Sequence, residues 1–237
     1  MDYQINITFD EAGLEQIYQT GSSVVLVKSV NTSPASATMP IAWIASRQPL
    51  MNNAIAREEG YALYATSGQI MPGMMIEAAV EAPANTGSAY TFDASSQFAA
   101  TGSSSVGTIA LTNASSEFTS FGLVQYATVN GMSMSGPTNV STLPSYMNAT
   151  YTPTETVALF IYQVARSGQV FSSIPGNALV VTLSSANPTA NVTYNSSTNM
   201  FFCNRDRKES SWRPFFKNSG YSKNLSDGSA EAKKEWL

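Results

Sequence analysis

Leu123-Val124-Gln125-Tyr126-Ala127-Thr128-Val129-Asn130-Gly131-Met132-Ser133-Met134-Ser135 reads as two extended runs on either side of an Asn-Gly pair. Both turn residues tolerate the positive φ that a two-residue type I′ turn demands, so the stretch predicts a β-hairpin. Similar punctuation recurs in both directions along the chain. Downstream, Ser167-Gly168 separates the apolar run 156–165 from Gln169–Ser173, and Pro175-Gly176-Asn177 leads into Ala178–Leu183. Asn187-Pro188 marks another turn before Val192–Tyr194, and Met200–Phe202 closes the set. Upstream, Val24–Val30, Ile41–Ala45 and Gly60–Thr66 are strand-length runs. Met74–Val80, after Pro72-Gly73, is extended or helical, and periodicity does not separate the two.

At the start, Tyr3, Ile5, Ile7 and Phe9 alternate with Gln4, Asn6 and Thr8, the period-two pattern of a half-buried strand. Asp10 is placed to cap a short helix over Glu11–Gln19 that stops at Gly21. Short strands at roughly ten-residue spacing, without full-length helices between them, predict an all-β protein. The expected fold is an antiparallel β-sandwich or flattened barrel over 1–203, with one short helix after the first strand.

Composition changes abruptly at Asn204. Eight of the 12 basic residues and five of the 16 acidic ones lie beyond that point, leaving net charges of −7 before and +3 after. Residues 204–237 therefore read as an irregular basic tail, either disordered, docked on a neighbour or an appended extension. Trp212, Phe215, Phe216 and Trp236 are the side chains such docking would use.

The composition also removes whole classes of chemistry. The chain has no histidine and one cysteine, Cys203, in 237 residues. His-based acid–base catalysis, His- or Cys-ligated metal sites, His-containing triads and intrachain disulfides go with them. Glu58 and Glu59 are neighbours on an extended chain and point to opposite faces, so they do not form a glycosidase pair. Glu77 and Glu81 read as solvated acids, and no Gly-x-Ser-x-Gly elbow is present. Lys28, the only lysine before the tail, offers a Ser/Lys pairing in form alone. Asp10, Glu11 and Glu15 look like a helix start rather than a cation site. The expectation is no enzyme, no metal and no cofactor. No unperturbed side chain titrates between pH 6 and 8, which leaves Cys203 or a strongly shifted carboxylate for that range.

Only 12% of residues are charged and the net charge is −4, which argues against nucleic acid as a partner. The first residues lack a basic n-region and an apolar core, so cytoplasmic synthesis without a signal peptide, with leaderless release as an option, is expected. Asn-X-Ser/Thr triplets at Asn6, Asn31, Asn113, Asn139, Asn148, Asn191, Asn195 and Asn224 are what chance gives in a chain so rich in Asn, Ser and Thr.

Two surface features remain. Trp43, Tyr61, Tyr64, Tyr126 and Tyr146 are candidates for an aromatic patch that stacks on glycan rings or sits among lipid headgroups. Met71, Met74, Met75, Met132, Met134 and Met147 form two clusters that read mainly as core filling, with 74 and 132 inward. The almost uncharged segment 87–120, with weak alternation over Val106–Thr112, has the composition of a membrane-inserting hairpin. Small β-sandwich cytolysins and lectins share this character, but no motif of theirs is present. The reading is a non-catalytic binding and self-assembly protein forming a homo-oligomer, with cytolysin-like or lectin-like binding of lipid or glycan as the alternatives.

Overall fold

A computed structural model describes residues 3–34, 38–68 and 70–203. In chain order the first half contains β1 (Gln4–Thr8), α1 (Glu11–Thr20), β2 (Ser22–Ser33), β3 (Ile44–Ser46), β4 (Asn52–Thr66), β5 (Val80–Ala84), β6 (Ser88–Phe92) and β7 (Phe98–Ser103). The second half contains β8 (Ile109–Asn113), β9 (Ser120–Val129), β10 (Met132–Pro137), β11 (Ser141–Thr142), β12 (Asn148–Gln163), β13 (Leu179–Thr182), β14 (Thr189–Asn195) and β15 (Met200–Cys203).

These strands form two sheets packed face to face. One runs β10-β9-β4-β1-β14-β15, with β11 alongside β9 and β5 alongside β4. The other runs β3-β2-β12-β8-β6-β7, with β13 alongside β12. The fold is the expected all-β sandwich, and the one helix among the described residues comes after β1 as read. Asp10 caps it, its carboxylate accepting from Gly13 N–H at 2.7 Å, and Gly21 ends it in the left-handed region at φ 63°. The hairpin at Asn130-Gly131 joins β9 to β10, with φ of 51° and 83° at the turn.

The sheets are mixed rather than purely antiparallel. β1 lies parallel to β14, from Gln4 opposite Thr189 to Thr8 opposite Thr193, and β6 lies parallel to β8. The first and last parts of the described chain thus meet inside one sheet, where Asn6 Nδ2 donates to Asn191 Oδ1 at 2.9 Å.

Inward residues form two clusters. Ile5, Ile7, Leu26, Leu159, Val192 and Phe201 belong to the one under α1. Leu63, Phe92, Leu111, Phe121, Leu123 and Tyr151 belong to the other. The outer faces are also partly covered. Segments 40–42, 168–171 and 73–76 pair as a short three-ply ribbon, held by Phe171 N–H to Pro40 O at 2.8 Å and Gly73 N–H to Val170 O at 2.8 Å. Phe171 from this ribbon packs with Val25, Val27 and Phe160 on the outside of one sheet. Val170 and Ile41 pack with Ala62, Tyr64 and Val124 on the outside of the other. The stretch Met74–Val80, undecided from periodicity, is this ribbon strand leading through a loop into β5.

Candidate binding surfaces

The expected aromatic patch does not form as one surface. Trp43 (3% exposed), Tyr61 (9%) and Tyr64 (0%) are buried in the interior or under the ribbon. Each has its polar atom engaged there. Trp43 Nε1 donates to Gln125 O at 2.9 Å, Tyr64 OH donates to Asn139 O at 2.7 Å, and Tyr61 OH accepts from Arg57 at 3.3 Å. Such a satisfied polar tip is what lets Tyr or Trp go inside. Tyr126 stands on the outer face of β9 and donates to Glu81 at 2.9 Å, which raises its pKa by favouring the phenol that makes the bond. Tyr146 is 82% exposed in the loop before β12. The tail residues Trp212, Phe215, Phe216 and Trp236 lie outside the described residues.

Between the two core clusters the structure places a polar layer. Lys28 on β2 sits between Leu26 and Val30, which face different clusters. Gln125 on β9 holds the same position between Leu123 and Ala127. Glu155 falls in the register shift of β12 between Pro153 and Val157, and Arg57 borders the shift of β4 between Arg57 and Tyr61. Both side chains keep the inward parity of their strands, Glu155 with Tyr151 and Val157 and Arg57 with Ile55 and Tyr61, so each shift lengthens its strand locally without turning it over. Glu155 receives Lys28 Nζ at 3.1 Å on one oxygen and Arg57 at 2.8 Å on the other. Lys28 also lies 5.5 Å from the Trp43 ring centre, and Arg57 lies 5.1 Å from that of Tyr3. Burial pushes the Lys28 pKa down to about 8 despite its carboxylate partner. Burial, with Glu155 adding to it, raises that of Tyr61. The adjoining slot is about 10 Å³, the room of about one water. This layer therefore ties the sheets together and has no space for a substrate. A sequence signal existed: Lys28 shares the inward parity of Leu26 and Val30 in an otherwise apolar strand.

Two open surfaces remain. The first is the edge strand β7, Phe98-Ala99-Ala100-Thr101-Gly102-Ser103. It pairs with β6 on one side, and among the described residues no strand pairs with its other side. Its last five residues are exposed and none is charged. Segment 87–120 folds as β6, β7, β8 and their loops up to the first residue of β9, with Tyr90, Phe92, Ile109 and Leu111 buried in the second core cluster.

The second surface is a cleft of about 220 Å³ between Pro72-Gly73 and the segment 169–175, with Tyr162 in its wall. Met71, Met74 and Met75 lie exposed on the ribbon loop beside Gly73, and Met132 (65%) and Met147 (50%) are exposed elsewhere. Only Met134 of the two groups packs against the core, so Met74 and Met132 do not point inward as expected. Both sit where the chain has left the two-sheet interior, Met74 on a ribbon strand and Met132 at the hairpin turn.

Among the described residues no three His, Cys, Asp or Glu side chains converge as metal ligands. No helix there is long and apolar enough to cross a membrane. Comparison with known proteins finds no matching family, no matching curated protein and no matching solved structure.

Proposed function

We propose that the protein is a non-catalytic β-sandwich module that assembles with copies of itself, edge to edge, through β7. The carrying observation is that edge. A strand of six residues with one free side normally bears lysine or proline to prevent pairing; β7 has neither, and its one irregularity is a bulge at Thr101, opposite Ala89 and Tyr90. Main-chain hydrogen bonds across such an edge give affinity without side-chain specificity, as in other strand-addition contacts. Low charge removes the opposing term, since no desolvated ions have to be paired when two such edges meet.

Burial of Tyr90, Phe92, Ile109 and Leu111 supports this reading over membrane insertion of 87–120. Withdrawing those side chains forfeits roughly 1.5–3 kcal/mol each, together a large part of a domain's total stability. The absence of histidine and the closed Lys28–Glu155–Arg57 layer support a binding rather than a catalytic role.

Sedimentation velocity at micromolar concentration tests the proposal. The wild-type chain should sediment as a dimer or larger species, little changed between low salt and roughly 0.5 M salt because the contact is neutral. The A99K/A100K variant, which puts a charge on each face of β7, should sediment as a monomer with unaltered melting. A wild-type monomer at both salts, or assembly that survives the two lysines, overturns the assignment.

A further inference from the structure

The cleft beside Tyr162 lies across the second sheet from β7, and its contents do not depend on how the chain assembles. We propose that it binds a single neutral sugar ring. Five observations lead there. The cleft is about 220 Å³, below the size of sites for drug-sized molecules and suited to one ring. Among the described residues no charged side chain lines it, so it offers nothing to hold a phosphate, a carboxylate or a cation.

Tyr162 supplies a fixed apolar face. Its ring stands edge-on to Phe171, with centres 4.9 Å apart at 76°, and to Phe160, with centres 6.4 Å apart at 83°. Tyr162 is 40% exposed yet its ring is braced on two sides, so little rotamer freedom is lost when a ligand stacks on it. The C–H face of a pyranose is the flat, weakly apolar partner such a ring accepts, while its hydroxyls point outward to a polar rim.

That rim is present and uncommitted. Ser172, Ser173 and the Tyr162 hydroxyl make no side-chain hydrogen bond among the described residues. Gln169 uses Oε1 to accept from Arg166 N–H at 3.3 Å, which leaves its amide N–H groups free. The hydroxyls of Tyr18, Tyr64, Tyr126 and Tyr194 are by contrast all spent on protein acceptors. The floor is pinned from both sides by Val170 N–H to Met74 O at 2.9 Å and Phe171 N–H to Pro40 O at 2.8 Å. A braced ring, free donors and acceptors around it and a fixed floor make a preorganised site for a neutral polyhydroxylated ring.

Saturation-transfer difference NMR on the intact protein tests this with the methyl glycosides of glucose, galactose, mannose and N-acetylglucosamine. At least one should receive transfer and bind with a millimolar Kd. Tyr162→Ala should weaken that glycoside tenfold or more. Tyr162→Phe, which keeps the stack and loses the hydroxyl, should weaken it two- to fivefold, and Tyr146→Ala should leave it unchanged. Ser172→Phe fills the cleft from an exposed position and should abolish binding, which keeps the test decisive if Tyr162→Ala does not fold. No transfer from any of the four, binding undiminished in Y162A or S172F, or tighter binding of glucose 6-phosphate than of the methyl glucoside overturns the proposal. None of these results bears on β7, because sedimentation reads assembly separately.

Discussion

Lys28 is almost fully buried, and the net contribution of its pairing depends on Glu155, which keeps 20% of its side chain in contact with solvent. The two partners are therefore unequal. Glu155→Gln leaves the lysine with an aromatic ring and no counter-charge, and loss of one partner from a buried pair typically costs about 3–5 kcal/mol. Lys28→Met removes the buried charge with similar volume, and Glu155 keeps Arg57 at 2.8 Å and some water. In urea unfolding at pH 7, E155Q should be destabilised severalfold more than K28M; equal losses would mean that the layer is not organised around the lysine. The lysine also sets a pH dependence. Its folded pKa is about 8 against an ordinary 10.5, so over that interval the unfolded chain binds the extra proton and stability rises with pH. Relative to K28M, the wild type should gain up to about 2 kcal/mol between roughly pH 8 and 9.5. At higher pH, where tyrosines ionise, the raised pKa of Tyr61 acts with the opposite sign, since the folded state then holds the extra proton. A flat difference over that first interval would show that Lys28 is solvated. A search of the sequence for groups titrating near neutrality finds Cys203 and shifted carboxylates and misses Lys28, because its depression comes from strands far apart in the chain.

The β9–β10 hairpin is the element where local chemistry and structure agree most closely. Gly131 has φ 83°, and a Cβ there strains the left-handed backbone by about 1–2 kcal/mol. Asn130 adds a tertiary bond, its Oδ1 accepting from Ala54 N–H at 2.8 Å, so the turn also fastens β4. Gly131→Ala should therefore lower the stability read from urea unfolding by about 1–2 kcal/mol without changing the slope, and Gly131→Val by more. No loss would mean that the turn relaxes to another type at no cost. Elements with one apolar face and ordinary turns were legible in this way: β1, α1 with Asp10 and Gly21, the second halves of β4 and β12, and β13 to β15. The first half of β4, Asn52–Glu59, was not, because Arg57 is turned inward where the alternation predicts an apolar residue. The first half of β12 was hidden by Pro153 and its threonines. The parallel pairings of β1 with β14 and of β6 with β8 leave no local trace, since a parallel register, across 185 residues in the first case, is a property of the assembled sheet. Trp43, Tyr61 and Tyr64 lie inside for a related reason: type and spacing do not tell whether an aromatic tip meets water or a buried carbonyl. The cleft at Tyr162 was equally unreadable, because Phe160, Phe171 and Gly73 meet only through the three-ply ribbon.

Across the molecule, the net charge changes sign at the point where the last described strand ends. Both core clusters and every described strand lie within residues 3–203, and β15 ends at Cys203 opposite Val192. Among the described residues the hydrogen-bonded ladder runs to that point, and residues 204–237 carry +3 against −7 for the rest. A chain ending at Cys203 should therefore be soluble, with the same β-type circular dichroism and a melting temperature within a few degrees of the full chain. A collapse in either would mean that Trp212, Phe215 or Phe216 completes the core. The same truncation separates two ways of assembling. If copies meet through the neutral edge of β7, removing a basic segment takes away no contact, and the sedimentation profile stays the same in low salt and in roughly 0.5 M salt. If instead basic tails bridge to acidic bodies, truncation abolishes assembly. Salt at roughly 0.5 M does the same to the full chain, because exposed charges separated by more than a few ångströms are screened there. The profile of the truncated chain should match that of the full chain, since β7, an open edge strand without charge, lies entirely within the part that remains.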